Sequence, residues 1–98
     1  MLVEISGEVT FSNVASLTRR LDDALAQDAN LVVDLTQVPF IDSSGLSALL
    51  TAAAGARRRG GKVALVLPTD PPLSIFRFRG VEQLLELHTS RADALASQ

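Results

Sequence analysis

The spacing of apolar residues changes period several times along the chain, and each change predicts an element. Leu2-Val3-Glu4-Ile5-Ser6 alternates as a short strand closed by Gly7. After Ser12 and Asn13, both good N-cap residues, Val14, Leu17, Leu21, Ala24 and Leu25 recur at helical spacing. Arg19, Arg20, Asp22 and Asp23 between them give that helix one wet face. Leu31 to Leu35 is too short and too apolar for anything but a buried strand, and Thr36 to Ile41, broken by Pro39, is expected to be a connection. Asp42-Ser43-Ser44-Gly45 then opens a second helix, whose predicted apolar stripe is Leu46, Leu49, Leu50, Ala53 and Ala54. Arg57, Arg58 and Arg59 suit the dipole at its C-terminus, and Gly60-Gly61 stops it.

Lys62 to Leu67 predicts a third strand. A short helix is expected from about Pro72 through Phe78, ended by Gly80. A fourth strand around Leu84–Leu87 and a last short helix from Ser90 to Ala96 complete the pattern. Strands that alternate with helices and are nearly continuous in apolar residues predict an α/β fold: about four mainly parallel strands with about four helices. Every strand-to-helix loop of such a sheet lies at one edge, beyond the strand carboxyl ends, where sites gather. The Asp42–Gly45 turn belongs to that edge.

Composition narrows the function. Ninety-eight residues, 47% of them hydrophobic, are enough for one domain, residues 1–98, and too few for two cores. A net charge of −2 argues against direct nucleic-acid binding. The absence of cysteine and the presence of a single histidine leave no metal site or cofactor to expect. Neither a leader pattern nor a run of ~20 apolar residues is visible, so the expected address is the cytoplasm, without membrane insertion. Catalysis has little support: Ser43 and His88 invite comparison with a hydrolase, but G-x-S-x-G is missing, and no enzyme activity is expected.

Asp42-Ser43-Ser44-Gly45 supports two readings. The plain one is an N-cap, in which Asp and Ser oxygens accept from the free N–H groups of the first helical turn. The other is a phosphorylation site, since phosphate adds roughly −1.5 to −2 charges where a helix start tolerates an anion. A second clue follows it, because no charged side chain occurs from Leu46 to Ala56. Ser47, Ala48, Thr51, Ala52 and Gly55 are all small. Such a face is either a protein-docking surface or a helix covered on two sides by its own domain.

Leu31-Val32-Val33-Asp34-Leu35, followed by Val38-Pro39-Phe40-Ile41-Asp42-Ser43-Ser44-Gly45-Leu46, resembles the STAS-domain family of bacterial anti-sigma factor antagonists. Ser6-Gly7-Glu8-Val9, Arg59-Gly60-Gly61-Lys62-Val63 and Phe76-Arg77-Phe78-Arg79-Gly80-Val81 extend the resemblance over essentially the whole chain. The resemblance implies a STAS-like fold and a switch. In the family the first serine after the aspartate is phosphorylated by a serine kinase that is also the anti-sigma factor. That serine matches Ser43, with Ser44 the other acceptor. The unphosphorylated form binds the kinase and frees the sigma factor, and a serine phosphatase restores it after phosphorylation. Asp42, Ser43, Ser44, Gly45, Leu46, Ser47, Leu50 and Thr51 are the implied contact residues. The alternative is a STAS scaffold subunit of a transporter or signalling assembly, with no phosphorylation cycle.

Two features depart from the family pattern. The strand that commonly precedes the Gly-Glu strand is not present in full: either that edge strand is missing, which leaves a sheet edge for a partner or for a second copy in a homodimer, or Leu2-Val3-Glu4-Ile5 is the only N-terminal strand. The Arg57-Arg58-Arg59 run is unusually basic, either a solvated helix end or a contact for an acidic partner surface.

Overall fold

In a computed structural model of the protein, which describes residues 1–68 and 84–97, four strands and three helices are seen. In chain order they are β1 (Leu2–Ser6), α1 (Val14–Gln27), β2 (Asn30–Gln37), α2 (Ser43–Arg58), β3 (Lys62–Val66), β4 (Leu85–His88) and α3 (Arg91–Ala96). The strands form one sheet in the order β1-β2-β3-β4, and every pairing is parallel. The helix expected from Pro72 to Phe78 lies outside the described residues.

Alternation along the strands divides the side chains between two faces. Val3, Ile5, Leu31, Val33, Leu35, Val63, Leu65 and Leu85 join Leu17, Leu21, Ala24 and Leu25 of α1 and Leu49, Ala53 and Ala56 of α2 in the main core. Val32, Ala64 and Val66 point the other way and bury Ala94 of α3, with Leu2 packed alongside. The central strands are covered on both faces, which is why they read as unbroken apolar runs.

Three expectations need correction. The connection after Leu35 is shorter than predicted: β2 continues to Gln37, and Ile41 pairs with Val9 in an isolated parallel bridge. On α2 the buried residues are Gly45, Leu49, Ala52, Ala53 and Ala56, whereas Leu46, Leu50 and Ala54 are half-buried. The stripe is rotated because α2 packs against α1 as well as the sheet, and its smallest side chains let that second helix come close. Asn13 does precede α1, but its side chain does not cap it. Its Oδ1 accepts from the Thr10 amide (2.9 Å) and its Nδ2 donates to the Glu8 carbonyl (2.8 Å), so it braces the preceding loop instead.

The end of α2 behaves as its sequence predicts. Gly60 has φ +79°, its amide donates to Arg57 O, and the Gly61 amide donates to Ala56 O. These are the paired bonds of a Schellman stop, which needs a left-handed residue after the cap. At the sheet edge, β1 pairs with β2 alone among the described residues, and Arg20 Nη1 donates to the Glu4 carbonyl of this strand (2.6 Å).

Candidate functional site

The loops after β1 and β2 leave the sheet at the same edge, because both strands run in the same direction, and they are joined there. The Val9 amide donates to Phe40 O (2.9 Å) and the Asp42 amide to Val9 O (3.1 Å). Asp42 is the N-cap of α2. Its Oδ1 accepts from the amides of Ser44 (2.9 Å) and Gly45 (3.3 Å), while its Oδ2 accepts from the amide of Phe11 (3.0 Å). One carboxylate therefore satisfies two orphan donors of α2 and latches the first loop to the second. Burial alone would raise the Asp42 pKa, but the amides of Phe11, Gly45 and Ser44, with the Ser44 hydroxyl, outweigh it and hold the carboxyl below its ordinary value.

Ser43, the first residue of α2, is exposed, and Ser44 is half-buried. Ser47 and Thr51, one and two turns on, are exposed, and Leu46 and Leu50 are half-buried. Gly45, expected as a contact residue, is buried. A Cβ there would sit 2.4 Å from Ile41 Cγ1 and 2.9 Å from Val9 Cγ1, so glycine is what lets the first turn of α2 rest on the joined loops. Ala48 and Ala52, with Ser44, Ser47 and Thr51, form one wall of a cavity of about 240 Å³ whose other wall is α1. The small residues of α2 thus line a shallow trough against α1, which opens to solvent at Ser47 and Thr51.

Sequence reasoning missed two aromatic side chains. Phe11 is 80% exposed and Phe40 50% exposed, one on each joined loop. An isolated phenylalanine reads as core, and the 31-residue separation of Phe11 from its anchor at Asp42 hides the pairing.

The basic run is partly structural, since Arg59 Nη1 donates to the Leu25 carbonyl and ties the end of α2 to α1. His88 Nε2 lies 3.1 Å from Glu86 Oε1. Among the described residues no cluster of three His, Cys, Asp or Glu side chains has the arrangement to hold a metal ion, and no helix is long and apolar enough to cross a membrane.

The model of the STAS domain family matches residues 1–94. The chain belongs to the STAS domain family. Over 97 residues this STAS domain is 24% identical to an anti-sigma F factor antagonist of Paenibacillus polymyxa, covering 97% of this chain and 83% of that one. A Thermotoga maritima structure described as a candidate anti-sigma factor antagonist superposes with a TM-score of 0.83 at 18% identity, over 98% of this STAS domain and 86% of that chain. The anti-sigma factor antagonist SpoIIAA, solved in its unphosphorylated form, gives a TM-score of 0.77 at 19% identity, over 98% and 84% of the two chains. These structural likenesses carry the STAS fold, parallel sheet and flanking helices included.

Proposed function

We propose that this STAS domain is an anti-sigma factor antagonist whose binding is switched by phosphate on Ser43. In this reading the unmodified form docks on a serine-kinase anti-sigma factor and releases its sigma factor. Phosphorylation ends the docking, and a serine phosphatase reverses it. The observation that carries the reading is the exposed Ser43 at the start of α2, followed by an uncharged stretch of that helix with Ser47 and Thr51 exposed and Leu46 and Leu50 half-buried.

The electrostatics support a switch that leaves the fold intact. A helix start ordinarily offers its amides to an anion. Here Asp42 already takes the amides of Ser44 and Gly45, so a phosphate on Ser43 would stand outward, beside a like charge. Burying it in a complex without a cation costs several kcal/mol. A penalty of about 3–4 kcal/mol weakens binding on the order of several hundredfold.

The test is phosphate transfer from MgATP by purified anti-sigma serine kinases of the source organism, with mass spectrometry to place the group. Phosphate on Ser43, none on Ser43→Ala, and tight kinase binding by Ser43→Ala are expected. Ser43→Glu should fold normally and bind weakly. Unmodified Ser43, or a Ser43→Glu that binds as tightly as the parent, would favour a scaffold subunit without a phosphorylation cycle.

A further inference from the structure

We infer that Phe11 is an anchoring contact for the protein that reaches Ser43, and that Asp42 is the positioning residue that presents it. The inference rests on the phosphorylation reading above and adds a surface to it that lies off α2.

Phe11 holds its ring out to solvent on a loop that is anything but slack. Beneath it the Thr10 amide donates to Asn13 Oδ1, Thr10 Oγ1 lies 2.8 Å from Ser12 Oγ, and the Ser12 amide donates to Thr10 Oγ1. Asn13 Nδ2 ties the loop to the Glu8 carbonyl, and the Phe11 amide itself is held by Asp42 Oδ2. Leaving an exposed phenyl ring forfeits burial worth about 1.5–3 kcal/mol, which only an occupant recovers. A braced loop lowers the ordering cost of binding, and aromatic side chains are enriched in interface cores.

The same geometry names the occupant. Asp42 binds the Phe11 amide and is chain neighbour to Ser43, and Phe40 shares the bridged loops. A kinase that brings ATP to the Ser43 hydroxyl therefore covers Phe11 as well. The half-exposed Leu95 of α3, on the opposite face of the sheet, is outside that footprint.

The experiment uses the kinase identified in the transfer assay and the intact chain as its substrate. Phe11→Ala is expected to raise KM by about 10- to 100-fold with kcat unchanged, as removal of a docking anchor does. Phe11→Leu should fall between, and Leu95→Ala should match the parent. Asp42→Asn, which keeps one acceptor for α2 but none for the Phe11 amide, should raise KM in the same sense and speed amide exchange at Phe11. A KM for Phe11→Ala within about twofold of the parent overturns the anchor, as does a fall in kcat alone. If Ser43 accepts phosphate and KM ignores Phe11, only this inference fails; if Ser43 accepts none, the parent reading fails and takes it along.

Discussion

Two aspartates, Asp34 and Asp42, occupy opposite regions of the molecule and do opposite things with the same chemistry. Asp34 is buried on the α3 face of the sheet. Its Oδ1 accepts from the amide (2.9 Å) and hydroxyl (2.7 Å) of Thr36, and its Oδ2 from Arg91 Nε, while Arg91 Nη2 also reaches Glu4 (3.0 Å). This network staples a six-residue helix, too short to hold itself, onto the strands. Asp42 sits at the rim and binds three backbone amides, two of α2 and one of the Phe11 loop. In both, burial pushes the pKa up and stronger hydrogen bonding brings it below the ordinary value. A depressed carboxyl is thus no mark of a site. What separates the two is what they hold: Asp34 holds the fold closed, and Asp42 holds a surface open.

The largest effect expected belongs to the packing under Asp42. Gly45→Ala forces a methyl into Ile41 and Val9, and should cost about 3 kcal/mol or more in denaturant unfolding. A neutral result would mean that the two loops are not a rigid platform. Asp34→Ala should cost about 2 kcal/mol, because it removes the one acceptor shared by the Thr36 amide, the Thr36 hydroxyl and Arg91, and should loosen α3 first in amide exchange. Equal loosening around Ser43 would erase the division between the two regions. Asp42→Ala should cost about 1–2 kcal/mol as a lost cap, with faster exchange at Phe11, Ser44 and Gly45 and no change in α3.

Acid sharpens the comparison last. Glu86 accepts from Lys62 Nζ at 2.7 Å, which lowers its pKa to about 2 against the burial that raises it, with His88 and Ser97 adding to the lowering. A group depressed on folding stabilises above its unfolded pKa, and that stabilisation disappears as pH falls through the folded one. Stability should therefore drop between about pH 5 and pH 2, in the acid-unfolding curve, and Glu86→Gln should flatten the drop near the low end.

Much of this architecture could be read from periodicity. Leu31–Leu35 and Lys62–Val66 announce buried strands, and the family motif places Ser43 at the start of α2. The rotation of α2 could not be read. With Ala48, Ala52, Ala53, Ala54 and Ala56 on several sides, the hydrophobic contrast that fixes a helix face is missing, and the neighbouring α1 decides it. Asp34 stands in the Leu31–Leu35 segment that carries the family resemblance, yet its role is hidden because Arg91 lies 57 residues away. Phe11 was silent for the same reason. Local patterns report elements, whereas long-range hydrogen bonds report what those elements present.

The most direct measurement compares the dissociation constant of the kinase complex for the chain carrying phosphoserine at position 43 with that for the unmodified chain, both verified as folded. The account predicts a complex weaker on the order of several hundredfold with phosphate in place. Two constants within about threefold of each other would contradict it.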